Sequence, residues 1–126
     1  MIHVDIKNYL EENIPKLKGR IFPIMTTDIS QICVTYNVTD ISAGHVNQSQ
    51  MTFTIISEDF DEGVEMQERI KEVLAMEEDE PYRVYGESKF HTSLSAGGGN
   101  LFNEGPQRWE ISSIYIIDWR KTHVKD

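Results

Sequence analysis

Apolar positions recur along the first residues at intervals of three and four. Ile2, Ile6, Tyr9, Leu10 and Ile14 fall on one stripe, and Pro15 discourages continuation, so the pattern predicts a short amino-terminal helix ending near Ile14. Gly19 marks a turn. Arg20 to Met25 reads as extended, with Pro23 unable to donate a ladder hydrogen bond and therefore suited to a sheet edge. The period then changes to two. Ile32, Val34, Tyr36 and Val38 alternate with polar residues from Gln31 to Val38, and Gln50 to Ser57 is again rich in Thr, Phe and Ile, which predicts a pair of strands. Their connection, Thr39 to Ser49, is longer than an ordinary hairpin loop and is expected to protrude.

A second helix is expected from Asp59 to Glu77. Asp59 can cap it by accepting from the backbone N–H of Glu62 while Glu62 reaches back. Phe60, Val64, Gln67, Ile70, Val73 and Leu74 make its apolar stripe. Beyond Pro81, Tyr82 to Ser95 reads as one strand in which Val84, Phe90 and Leu94 share a parity with Gly86. Arg108 to Arg120 reads as a long strand, with Trp109, Ile111, Tyr115, Ile117 and Trp119 on one side and Ile114 and Ile116 on the other. A strand apolar on both faces is covered twice by its own chain, or once by its own helix and once by a partner. The segment between these strands, Ala96 to Gln107, carries Gly97, Gly98 and Gly99 and is expected to be flexible. The sequence predicts a single domain over residues 1–126. Its class is α+β, a mainly antiparallel sheet with a long helix packed on one face and a short amino-terminal helix.

Composition narrows the function. In 126 residues, 39% are hydrophobic and 26% charged, the balance of an ordinary globular domain. Neither a bilayer-spanning apolar run nor the basic and apolar regions of a secretory signal is present, so a soluble protein with no membrane partner is expected. The formal charge is −9, and it is unevenly placed: Glu58 to Glu80 holds 11 acids against Arg69 and Lys71, while the rest of the chain balances. Without a basic patch, specific nucleic-acid binding is disfavoured.

Candidate chemistry is sparse. Cys33 could serve as a nucleophile with His45 or His91 as base, but it lies between Ile32 and Val34 in an expected strand, where a buried structural cysteine is the commoner outcome. The four histidines have no metal-ligand spacing. Gly97-Gly98-Gly99 lacks the Lys-Ser/Thr of a phosphate loop. No enzyme activity, catalytic residue, cofactor or metal is therefore expected. What remains are surfaces. Gly97, Gly98, Gly99, Asn100, Leu101 and Phe102 place two large apolar side chains on an expected flexible loop, and with His45 and Val46 of the other long connection they form a candidate subunit or partner interface. Glu65, Glu68, Glu72, Glu77, Glu78, Asp79 and Glu80 form an acidic surface, either a solvated helix face or a wall that keeps phosphates from adhering.

The order of elements resembles the small tail terminator (tail-to-head joining, or tail completion) proteins of long-tailed bacteriophages and phage-like particles. An opening helix leads to Gly19-Arg20-Ile21-Phe22-Pro23; a strand pair with a long connection and the Asp59 to Glu77 helix follow; the chain closes in a hairpin ending Ile114-Tyr115-Ile116-Ile117-Asp118-Trp119-Arg120. The resemblance spans nearly the whole chain and implies a subunit of a hexameric ring at the tail-head junction, assembled in the bacterial cytoplasm. That ring would end polymerisation of the tail tube, join the head connector, and let DNA through without binding it specifically. Another neck component, a head-completion or stopper protein, shares the same size and charge; a small monomeric cytosolic binding domain is a further alternative. A closing ring needs a head-to-tail interface of ~800 Å² per partner and loops that order on a neighbour.

Overall fold

The computed structural model describes residues 1–26, 28–42 and 47–122. The first stripe forms helix α1 (Ile2–Asn13), burying Ile2, Ile6 and Leu10, and Pro15 opens a single 3-10 turn (Pro15–Leu17) rather than a further helical turn. Strand β1 (Ile21–Pro23) follows, then β2 (Cys33–Ser42), β3 (Asn47–Ser57), helix α2 (Phe60–Leu74), β4 (Arg83–Tyr85), β5 (Ser88–Asn103) and β6 (Arg108–Lys121). They form one six-stranded sheet in the order β1-β2-β3-β6-β5-β4.

This architecture corrects the expected class. The sheet is mixed and curled, since β1 pairs with β2 in parallel while the other neighbours are antiparallel. Strands dominate, and there is no long helix: α1 and α2 have 12 and 15 residues. Residues 24–32 cause the first difference by carrying the chain back to the start of β2, so that β2 runs in the same direction as β1. The second follows from Ala75, which leaves helical geometry with ψ 128, and from Met76, whose N–H donates to Thr92 O at 3.1 Å. The acids from Glu77 to Glu80 would oppose a continued helix dipole, so the expected extension to Glu77 does not form. Bulges between Asp40 and Ser42, Leu94 and Ala96, and Gly97 and Gly99 add local bend and twist to the sheet.

Three further expectations change. Asp59 does cap α2, but it accepts from the N–H of Asp61 at 3.0 Å, while Glu62 sits 3.8 Å from Lys16 instead of reaching back. The strand expected from Tyr82 to Ser95 is broken at Gly86, where φ is +60 and a Cβ would strike the Asp5 carboxylate. Residues 82–95 thus become β4, a turn and the start of β5. The connection expected over Thr39 to Ser49 is largely strand, because β2 runs to Ser42 and β3 begins at Asn47.

The core lies between one sheet face and the two helices. Phe53, Ile111, Tyr115 and Ile117 from the sheet meet Ile6, Leu10, Ile70 and Leu74 from the helices. Each such side chain contributes about 1.5–3 kcal/mol through burial. Gln67 reaches from α2 to Ser113 Oγ (2.8 Å) and Ser112 O (3.2 Å), which fixes the helix over β6. Among the described residues, no helix lies on the opposite sheet face.

Candidate functional site

The glycine run does not form a hairpin tip. Gly97 and Gly99 pair with Ser113 and Ser112 inside β5, and the tip lies beyond Asn103. Glycine is needed at 98, where a Cβ would come within 2.7 Å of Ser112 Cβ; at 99, φ is +94. Asn100 pairs with Ile111, Leu101 with Glu110 and Phe102 with Trp109. Leu101 and Phe102, expected together on a loop, therefore point to opposite faces of a strand. Leu101 is 61% exposed on the helix-free face. Phe102 turns to the helix side, where its ring centroid lies 4.9 Å from Trp109, itself 4.9 Å from Phe60 in the first turn of α2. This aromatic stack ties the hairpin to the body. On the other face, Arg108 Nε donates to Ile29 O (3.2 Å), joining the hairpin end to the 24–31 segment. His45 and Val46 lie outside the described residues.

The acidic residues spread along the outer side of the helix layer. Glu65, Glu68 and Glu72 are exposed on α2, and Glu72 faces Arg69 at 3.9 Å, an exposed pair that contributes little. Glu77, Glu78 and Asp79 are exposed in the segment that follows. Glu80 is half-buried: it accepts from the Glu77 N–H at 2.9 Å and lies 3.6 Å from Arg83, which also donates to Val73 O. Beneath α2, burial, and then the charge of Glu68, pushes the Tyr115 hydroxyl up to about 12.

No reactive grouping forms from the sequence candidates that are described. Cys33 is fully buried, and burial pushes its thiol up. His91 lies on β5, with β3 and β6 between it and Cys33, and its Nε2 is 2.8 Å from Glu77 O. His3 meets the Tyr36 hydroxyl at 3.3 Å. Among the described residues, no group of three or more His, Cys, Asp or Glu could hold a metal ion. A recess of about 490 Å³ borders Met76, Tyr82, His91 and Asp118 and is open to solvent.

The sequence marked Ile114 and Ile116 as a second apolar face of the last strand, but not that, among the described residues, this sheet face carries no helix. Its middle is made of Gln50, Thr52, Thr54, Ser112, Ile114 and Ile116, half-buried and uncharged, whereas the helix layer opposite is acidic. Nor did it show that, among the described residues, two strands end in edges with no neighbouring strand. The signal was present as the charge-free run from Ser93 to Asn103, eleven residues in a chain that is 26% charged.

No protein-family model matches the chain, and no curated protein matches its sequence. Among solved structures, a chain of one described as "Virion of native gene transfer agent (GTA) particle" has the same fold, with a TM-score of 0.67. The alignment covers 94% of this chain and 93% of that one at 8% sequence identity. The likeness is one of fold, and it extends over essentially the whole of both chains.

Proposed function

We propose that this protein is a structural component of a phage or phage-like virion, and within it the tail terminator. A ring of identical subunits, six by the resemblance of the chain, caps the tail tube, stops its polymerisation and joins it to the head connector. The observation that supports this reading is the end-to-end fold likeness to a chain of a gene transfer agent virion. The subunit works by complementary surfaces and not by bond chemistry, in keeping with a buried thiol separated from His91 by two strands. Its partners are further copies of itself, the tail tube protein and the connector. DNA passes without specific binding, since the excess of −9 repels phosphates.

Deleting the gene from a particle-producing strain tests the proposal. The expected result is headless tails of uncontrolled length alongside tailless filled heads, with purified protein restoring normal junctions and labelling one tube end in electron micrographs. Tails of normal length that fail to join would assign the protein to another step of the neck. Normal particles, or label along the tube wall, would overturn the terminator assignment.

A further inference from the structure

We propose that copies of this chain join head to tail through their sheet edges, the stretch Ser93 to Asn103 of β5 adding as a strand beside Asn37 to Ser42 of β2 on the next copy. This rests on the ring reading above and specifies how its subunits hold one another.

Backbone polarity identifies both edges. The Val34 N–H donates to Arg20 O (2.9 Å) and Tyr36 O accepts from the Ile24 N–H (2.8 Å), so the even-numbered residues of β2 turn their peptide groups toward β1. By the alternation of an antiparallel strand, Val38 and Asp40 do the same. There β1 has already ended at Pro23, and among the described residues no backbone group meets theirs. At the other side of the sheet, β4 covers Ser88 to Phe90 and Met76 bonds Thr92 O. From Ser93 onward β5 pairs, among the described residues, with β6 alone, and every residue to Asn103 is exposed.

Such edges are ordinarily protected by charge, proline or a covering segment. Ser93 to Asn103 contains no charged residue and no proline, and Asn37 to Ser42 contains only Asp40, whose carboxylate accepts from Ser49 Oγ at 2.8 Å. The two bulges bend β5 but leave its edge open. An undefended edge in a strongly acidic chain is where two copies can approach without like charges opposed.

The geometry favours a second copy as the occupant. Through successive antiparallel pairs, β5 runs opposite to β2, so copies oriented alike about a ring axis meet with these two strands antiparallel. The edges are also offset along the sheet. Thr39 aligns through Gln50 with Ile116, whereas Gly98 lies beside Ser112, four residues along β6, or ~13 Å at ~3.3 Å per residue. Across the ~19 Å width of four strands, that offset inclines the strands by ~35°, the tilt a closed sheet requires. Pairing β5 with another β5 would satisfy one edge, leave the β2 edge open and stop at two copies.

The test uses the full chain. Val38→Pro removes an outward N–H without removing a β2–β3 hydrogen bond. It should keep the circular dichroism spectrum and melting transition of the parent while lowering ring formation by about tenfold or more in sedimentation. A folded variant that forms rings normally overturns the edge pairing. In a second arm, Asn37→Cys and Leu101→Cys chains are mixed under mild oxidation; native Cys33 is buried and provides the background. A disulfide-linked pair should form in the mixture and in neither chain alone. This arm decides the matter if Val38→Pro does not fold. Self-linking of Leu101→Cys, or rings that form without any cross-link, overturns the inference while leaving the ring reading intact. Parent chain that stays monomeric at every concentration and on purified tube ends overturns both, and a strand from an unrelated protein on either edge overturns the choice of a second copy.

Discussion

The two halves of β5 obey different rules. From Ser88 to Thr92 buried and half-buried residues alternate, sealed by β4, by Met76 and by α1, whose Asp5 accepts from the Ser88 hydroxyl at 2.5 Å. From Ser93 to Asn103 the same strand pairs with the same neighbour, yet all its residues are exposed. Hydrogen bonding to β6 holds extended backbone in both halves at ~0.5–1.5 kcal/mol net per bond. The first half buries every other residue against a second layer, whereas the second half touches that layer through Phe102, which stacks on Trp109. Continuity of a strand is thus a weak guide to where stability resides.

Substitution in each half should expose this asymmetry. Phe90, fully buried with its ring 5.4 Å from Tyr9, should lose about 3–5 kcal/mol on change to Ala, while Leu101→Ala should stay within about 0.5 kcal/mol in urea unfolding. Equal losses would erase the distinction. Within the exposed half, Gly98→Val should cost about 1–3 kcal/mol by crowding Ser112, whereas Gly97→Ala, with nothing within 4 Å of the added carbon, should be nearly neutral in thermal melts. Tyr115 sits at the boundary, opposite Leu94, with a buried hydroxyl that has no hydrogen-bond partner among the described residues. Tyr115→Phe should therefore be neutral or stabilise by up to about 1 kcal/mol, and ultraviolet titration should lose a tyrosine that ionises near pH 12.

The smallest expected effect concerns the 24–31 segment to which Arg108 ties the exposed half. Hydrogen bonds from Ser30 and Arg20 hold the Asp28 carboxyl below its ordinary value. The folded chain therefore binds that proton less readily than the unfolded chain. The contribution is complete above the ordinary carboxylate range and is lost as pH falls through the depressed value. The protection factor of the Ser30 amide, its exchange rate referred to that of an unfolded chain at the same pH, should fall on acidification, and Asp28→Asn should remove that pH dependence.

Local periodicity was readable wherever one layer faces another. The stripe of Ile2, Ile6 and Leu10, and the alternation in β3 and β6, each report a single buried face, and α1 and β6 formed close to their expected limits. β2 and β3 run further into their expected connection, and β2 is buried on both faces from Cys33 to Tyr36. What could not be read depends on distant partners. Glycine at 97–99 signals a loop by local rules, but here Ser112 and Ser113 of β6 supply ladder bonds and leave no room for a larger residue at 98. Nothing local told that β1 would pair in parallel. Asp59 was recognisable as a cap, whereas its true donor, one residue nearer than expected, depended on the exact turn geometry. For the candidate surfaces, the acidic residues were foreseeable as exposed from their positions on the stripe. Leu101 and Phe102 were recognisable as unusual, but their division between two faces required the register with Glu110 and Trp109.

Cys33 has a consequence for handling the material. With 0% exposure and a pKa raised by burial, the lone thiol is shielded from oxidants and from its counterparts on other molecules. Any association between molecules of this protein is then free of accidental covalent bonds, and it should come apart and re-form identically with or without a reducing agent.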